Sequence, residues 1–124
     1  MTSEPRIALI DDDPLWIESL EEMLSDQGFS ISVASDGQDG LTLLERNLIP
    51  VAVVDYQMPE LDGLELLQRV RELEHPVAIL LVSGDEDPTL AQKAKQEGAF
   101  AFYPKTVSPR LLLHGVLSAW DSLN

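Results

Sequence analysis

The sequence predicts one doubly wound α/β domain, in which a five-stranded parallel sheet carries helices on both faces. Short runs rich in Ile and Val alternate with longer segments in which apolar residues recur at helical spacing. That alternation predicts parallel strands joined by right-handed crossovers. Hydrophobic residues make up 44% of the 124 residues, and no linker, repeat or low-complexity tract interrupts the chain. Residues 1–124 are therefore interpreted as a single domain.

The first strand and helix are predicted by an apolar run and a well-marked helix start. Residues 7–10 are apolar and end at a run of three acids. Asp13 suits an N-cap and Pro14 suits the first helical position, while Gly28 provides a stop. The alternating stretch over residues 30–34 predicts the second strand.

The second helix and third strand follow in the middle of the chain. Leucines at helical spacing predict a helix from Leu41 to Leu48, which ends before Pro50. Residues 51–54 are continuously apolar, which is typical of a central parallel strand covered on both faces. This strand ends at an acid, Asp55.

The second half of the chain repeats the pattern. The predicted elements are a helix that opens at Asp62-Gly63 and is broken at His75-Pro76, a strand over 77–82, a helix from Asp87-Pro88 to Gly98, a strand over 99–103, and a helix that begins at Ser108-Pro109 and runs to the C-terminus.

Composition narrows the classes of partner. The chain has 22 acidic and 8 basic residues, a formal charge of -14, which should repel nucleic acid and anionic lipid. A basic partner surface or divalent cations fit this charge better. Cysteine is absent, and neither a signal peptide nor a membrane-spanning run is present, so we expect a cytoplasmic domain that acts away from membranes.

Polar side chains stand just past the carboxyl ends of the predicted strands. These residues are Asp11, Asp12, Asp55, Ser83 and Lys105. In an open α/β sheet the carboxyl ends share one edge, where ligands bind at the topological switch point. Residues separated by half the chain are therefore expected to converge on one pocket.

The chemistry of this set is coherent. Three crowded carboxylates repel one another unless a cation lies among them, and oxygen ligands without His or Cys suit Mg2+. A carboxylate beside a metal ion and a lysine can accept a phosphoryl group, because both cations neutralise the phosphoryl oxygens. The residues indicate an aspartyl-phosphate site.

The sequence resembles the receiver domain of two-component response regulators over nearly its whole length. The motifs that carry the resemblance are residues 10–13, 54–59, Asp62-Gly63, 82–84, 98–99 and Lys105, in the order and spacing of that family. The resemblance implies a flavodoxin-like sheet with strand order 2-1-3-4-5.

The resemblance also implies a role for each site residue. Asp55 would be the phosphoacceptor and a Mg2+ ligand. Asp12 would bind Mg2+ directly, Asp11 through a water molecule, and Gln57 through its backbone carbonyl. Lys105 would pair with the phosphoryl group.

Further residues are implied to respond to the phosphoryl group or to tune its lifetime. Ser83 would contact the group, and Phe102 would be the aromatic residue that switches with it. Gln57 and Asp85, each two residues past a site residue, would flank the attacking water and set the lifetime of the acyl phosphate.

One position departs from the family pattern. Thr106 follows Lys105, where the family usually has a proline after a cis bond. A cis bond before threonine would cost roughly 2.5–4 kcal/mol. We therefore predict a trans Lys105–Thr106 bond and a locally altered loop.

The implied partners are a histidine kinase or a histidine phosphotransfer protein. The fourth helix, fifth strand and fifth helix would form a face for an effector or a second copy, and the domain would assist only its own phosphorylation and dephosphorylation. The last helix has a polar stripe with a wide apolar arc around it, although ordinary burial explains that arc too.

Other side chains have simpler explanations. Trp16 and Tyr56 are candidates for positions near the pocket, but packing explains both. His75 and His114 lack partners at ligand spacing, so we predict that both histidines are solvent-exposed.

Three other functions remain open at this stage. A phosphatase of the haloacid dehalogenase type would use Asp11 as its nucleophile, although Leu15 does not fit its motif and Asp55 would have no role. The second is a receiver-like binding module that is not phosphorylated. The third is a flavin-binding domain, disfavoured because the acidic loop after the first strand would repel the flavin phosphate.

Overall fold

The computed structural model describes residues 5–123 as a five-stranded parallel sheet with five helices. The strands are β1 (Arg6–Ile10), β2 (Ser30–Ala34), β3 (Val51–Asp55), β4 (Ala78–Ser83) and β5 (Ala101–Pro104). The helices are α1 (Pro14–Asp26), α2 (Gly37–Arg46), α3 (Gly63–Val70), α4 (Leu90–Gln96) and α5 (Pro109–Ser122).

The strand order is β2-β1-β3-β4-β5, which confirms the predicted topology. All four pairings are parallel, with Ile10 beside Val54 and Asp55 beside Val82. From β1 the chain crosses to β2 on one side, and from β3 it continues to β4 on the other. The carboxyl ends of β1 and β3 thus flank the switch point of the sheet.

Each face of the sheet has its own apolar core. One core lies against α2, α3 and α4 and includes Leu44, Leu66 and Ala94. The other lies against α1 and α5 and includes Leu24 and Val116. Each buried aliphatic side chain contributes about 1.5–3 kcal/mol. Two such layers explain why β1, β3 and β4 are nearly continuous apolar runs.

Side-chain caps fix where the helices begin. The N-caps Asp13, Asp36, Asp62 and Ser108 each accept a hydrogen bond from a backbone N–H of the first turn. For Asp62 the cap is reciprocal, since Glu65 Oε1 accepts from the Asp62 amide at 3.2 Å.

Several predicted element ends are wrong by a few residues, and α2 shows why. This helix ends at Arg46 and not at Leu48, whose side chain is 74% exposed. Asn47 has extended backbone angles, and its side-chain amide donates to Leu43 O at 2.8 Å. That bond satisfies a terminal carbonyl and ends the helix.

The other shifted ends follow from local turns. The start of α4 is Leu90, because the Asp87 carboxylate accepts hydrogen bonds from the Thr89 amide at 2.9 Å and hydroxyl at 2.8 Å. The end of α3 is Val70, five residues before His75, and the amide of Leu73 then donates a hydrogen bond to Val70 O at 3.0 Å. The fifth strand is Ala101–Pro104 where 99–103 was predicted.

The two histidines differ from each other. His114 is exposed, as predicted, but the prediction for His75 is wrong. His75 is half-buried, and its Nε2 lies 3.1 Å from Leu44 O in the last turn of α2. A helix end leaves its last carbonyls free, and this ring supplies a partner from a distant loop. Between residues 5 and 123, none of the helices has the length and apolarity needed to cross a bilayer.

Candidate functional site

The carboxyl edge of the sheet brings the five predicted site residues together. Asp11, Asp55 and Ser83 are the buried polar residues of the described chain, with exposed fractions of 3%, 4% and 1%. Asp12 is exposed, and Lys105 is half-buried. Burying acids is costly unless they are paired or bind a cation, so this edge is specialised for polar chemistry.

The acids form a cluster that could hold a metal ion. One carboxylate oxygen from each of Asp11, Asp12 and Asp55 lies within 4.8 Å of the other two. Asp11 Oδ2 is buried and has no hydrogen-bond donor in the described chain. The Lys105 ammonium forms an ion pair with it at 2.9 Å and donates its hydrogen bond to Asp11 Oδ1 at 3.2 Å. Oxygen donors with an open side toward solvent match the needs of Mg2+, which retains several water ligands. The residues therefore fit a hard divalent cation.

Lys105 reaches into this cluster from the end of β5. Its Nζ lies 2.9 Å from Asp11 Oδ2 and 3.5 Å from Asp55 Oδ2. Its backbone amide donates to Ser83 O at 2.8 Å, which extends the ladder between β4 and β5. Residues 5–123 contain no cis peptide bond, so the predicted trans Lys105–Thr106 bond is confirmed. A turn closed by the Val107 amide and Pro104 O, at 2.9 Å, carries the chain past the lysine.

Ionisation in the cluster reflects this crowding. Burial, followed by the negative charge of Asp11, raises the pKa of Asp55 from 3.8 to about 6, against the lowering effects of the Gln57 amide and Lys105. Burial alone would lower the pKa of Lys105, but its hydrogen bond to Asp11 and the charges of Asp11 and Asp55 outweigh that effect and raise it. The ammonium thus stays charged, and a further cation beside Asp55 would favour the ionised form of this carboxyl group.

The loop after β3 holds the Asp55 carboxylate in place. The Gln57 amide donates to Asp55 Oδ1 at 3.2 Å, and the Tyr56 amide donates to Val82 O at 2.8 Å. At Gly63 the loop returns to the end of β3, where the Gly63 amide donates to Tyr56 O at 2.9 Å. A Cβ atom at Gly63 would lie 2.5 Å from Asp55 O, so this close approach requires glycine.

The remaining predicted residues lie around the cluster. The Ser83 hydroxyl accepts a hydrogen bond from the Asp85 amide at 3.0 Å, and the Asp85 side chain is exposed. Phe102 is half-buried and lines a groove of about 330 Å³ between α4 and β5, together with Lys95 and Phe100. Gln57 is exposed at the rim.

One contact was not predicted from the sequence. The Lys105 ammonium lies over the ring of Trp16, 5.5 Å from its centroid. Trp16 also packs against the core shared by α1 and α5, as the sequence suggested. The sequence shows only that Trp16 lies in the first helical turn after the acid run. Nothing in it links this residue to Lys105, which lies near the other end of the chain.

Known proteins resemble this chain throughout. Residues 7–117 match the family model described as Response regulator receiver domain. Among curated relatives, the probable transcriptional regulatory protein NarL of Mycobacterium tuberculosis is 35% identical over 115 residues, which cover 90% of this chain and 53% of that protein. The transcriptional regulatory protein FixJ of Bradyrhizobium diazoefficiens is 37% identical over 105 residues, 85% of this chain and 51% of that protein.

A solved structure agrees with these relatives. The signal receiver domain of the response regulator NarL from Mycobacterium tuberculosis has a TM-score of 0.89 and 31% identity, and the match covers 97% of this chain and 98% of that one. The chain spans about half the length of the two curated relatives, at 53% and 51%.

Proposed function

The chain belongs to the family of response regulator receiver domains, and we propose that Asp55 is the residue on which it accepts a phosphoryl group. The observation that carries the proposal is the position of this acid. It is buried at the end of the central strand, 3.5 Å from the Lys105 ammonium and within the cluster formed with Asp11 and Asp12.

The proposed reaction uses Asp55 as the nucleophile. One of its carboxylate oxygens attacks the phosphorus of a phosphohistidine, the P–N bond breaks, and its electron pair returns to the histidine nitrogen, which takes up a proton. Lys105 stands beside Oδ2 and neutralises charge on the phosphoryl oxygens. The Gln57 amide, bonded to Oδ1, orients the carboxylate.

Receiver domains act with Mg2+, and we propose that Asp12, Asp55 and the Gln57 backbone carbonyl hold it here, with Asp11 acting through water. When bound, Mg2+ neutralises phosphoryl oxygens and offsets the repulsion among the acids. Asp12 is the exposed member of the cluster and can meet an arriving ion first.

We propose that Ser83 and Phe102 transmit the phosphorylated state. The Ser83 hydroxyl, now bonded by the Asp85 amide, would turn toward the phosphoryl group. Phe102 borders the groove between α4 and β5, so an inward turn of its ring would reshape the face formed by α4, β5 and α5. An effector or a second copy of the chain would bind that face.

Asp85 is the residue proposed to set the lifetime of the acyl phosphate. Its side chain is exposed beside the bonded amide, where it can orient an attacking water. We expect Asp85→Ala to change the dephosphorylation rate by about 2- to 10-fold, a modest share of the usual effect of general base catalysis. The rate at which each protein loses its phosphoryl group, monitored by intact mass, checks this prediction. Equal rates for variant and wild type would contradict it.

The proposed donor is a histidine kinase or a histidine phosphotransfer protein. The charge of -14 favours a basic docking surface and disfavours direct binding to nucleic acid. The domain would work in the cytoplasm and would turn over no substrate apart from its own acyl phosphate.

The direct test is incubation with acetyl phosphate and Mg2+, followed by intact mass. We expect the gain of one phosphoryl group that requires Mg2+ and disappears in Asp55→Asn. Asp26→Asn, an exposed acid at the end of α1, is the matched control and should gain the group normally. No gain with acetyl phosphate or with a phosphorylated kinase would favour the non-phosphorylated binding module.

A further inference from the structure

The ammonium of Lys105 lies in a three-sided site. Two sides are the carboxylates of Asp11, at 2.9 Å, and Asp55, at 3.5 Å. The third is the face of the Trp16 ring, at 5.5 Å, a separation at which an indole attracts a cation. The lysine side chain is only 23% exposed, so little water competes with these contacts.

The same short segment supplies the ring and two acids of the cluster, Asp11 and Asp12. Trp16 lies in the first turn of α1, where its amide donates to Asp13 Oδ1 at 3.3 Å. The Asp13 amide in turn donates to Asp11 Oδ1 at 2.9 Å. The indole also packs against the apolar core that lies between the sheet and helices α1 and α5. The position of the ring is thus tied to that of the acid cluster.

The three sides respond differently to a second cation. A divalent ion among the acids shares the charge of Asp11 and Asp55 and repels the ammonium, so both carboxylates hold Lys105 less strongly. The ring bears no net charge and is not a ligand for a hard ion, which binds oxygen. Its attraction for the ammonium therefore remains when the acid cluster is occupied.

We propose that Trp16 is a positioning residue that keeps the Lys105 ammonium beside Asp55 while the acid cluster holds its metal ion. This inference rests on the proposed function of Asp55. The flexible four-carbon stem of a lysine does not by itself fix the ammonium. The indole face restrains the ammonium when a metal ion weakens the attraction of the two carboxylates for it.

A kinetic double-mutant cycle tests this role. With acetyl phosphate and Mg2+, Trp16→Leu should lower the phosphorylation rate by about 2- to 30-fold, the rate equivalent of a cation–π attraction. Trp16→Phe, which restores a ring, should recover part of the loss. In a Lys105→Met background, Trp16→Leu should have no further effect, because the ring acts through the ammonium. An equal fall in both backgrounds would show a merely structural role and overturn the inference.

Trp120 supplies a matched control. It lies in α5, edge to face with Phe29 at 6.4 Å, away from the acid cluster. Trp120→Leu should destabilise the fold while leaving the phosphorylation rate of the folded protein within about 2-fold of wild type. A fall as large as that of Trp16→Leu would also overturn the inference.

A structural readout separates this inference from the proposed function. Nuclear Overhauser contacts between the Lys105 ε-methylene and the Trp16 ring protons should be present without metal and persist at saturating Mg2+. Their loss on adding Mg2+ would overturn the positioning role even if Asp55 is phosphorylated normally. Conversely, contacts that persist in a wild type that gains no phosphoryl group would count against the proposed function itself.

Discussion

Asp55 is a carboxyl group that the fold places where ionisation is unfavourable. Burial and the neighbouring Asp11 raise its pKa from 3.8 to about 6. Between these two values the folded protein holds more protons than the unfolded chain. The contribution of Asp55 to the free energy of unfolding therefore falls as pH rises through this window.

This pH dependence predicts how a substitution of Asp55 changes stability. In metal-free protein, Asp55→Asn should raise the free energy of unfolding at pH 7 by about 1–3 kcal/mol. The gain should shrink near pH 4, where the folded wild type already carries a neutral Asp55. Urea unfolding of both proteins at the two pH values measures the difference, and Asp26→Asn is the exposed control. A gain of equal size at both pH values would contradict the account.

Mg2+ should reverse this preference, because a cation among the acids favours the ionised form. Asp55 therefore destabilises the metal-free protein and should stabilise the protein that holds Mg2+. A carboxyl group whose surroundings strongly perturb its pKa is a typical feature of a functional site.

The loop between β3 and α3 shows how an element positions Asp55, the proposed phosphoacceptor. Gly63 passes so near the backbone that an added Cβ would lie 2.5 Å from Asp55 O and 2.9 Å from the Cα of Tyr56. Backbone atoms in a central strand cannot move aside as the end of a side chain can. The loop therefore depends on this glycine.

The second prediction compares two glycines at the same edge of the sheet. Gly63→Ala should lower the free energy of unfolding by about 1–3 kcal/mol through overpacking. Gly84→Ala is the control, because the nearest atom to its added Cβ is Gln57 Oε1 at 3.9 Å, and it should be nearly neutral. Denaturant unfolding measures both, and equal losses would show that the close contact at Gly63 is not the cause.

Element order and type could be predicted because apolar periodicity and caps are local signals. The ends of α2 and α4 could not, since they depend on side chains that bond the backbone, as Asn47 does to Leu43 O. The convergence of Asp11, Asp12, Asp55 and Lys105 could be predicted because the carboxyl ends of parallel strands meet at one edge. The contacts of Trp16 with Lys105, and of His75 with Leu44 O, depend on how separate elements pack, and no local pattern encodes them.

At the scale of the whole molecule, the acid cluster and the α4–β5 groove are joined through one strand. Lys105 follows β5 directly and reaches the cluster, while Phe102, within the same strand, lines the groove. A charge change at Asp55 therefore has a short path to a surface that a partner could bind. This continuity is the structural basis for proposing that phosphorylation is transmitted to the face formed by α4, β5 and α5.

The most direct measurement locates the phosphoryl group chemically. Protein treated with acetyl phosphate and Mg2+ is reduced with borohydride, which converts an aspartyl phosphate to homoserine, and its peptides are then sequenced by mass spectrometry. The account predicts homoserine at position 55 and an unmodified peptide when Mg2+ is omitted. Homoserine at Asp11 or Asp12, or a phosphoryl gain with Asp55 unmodified, would contradict it.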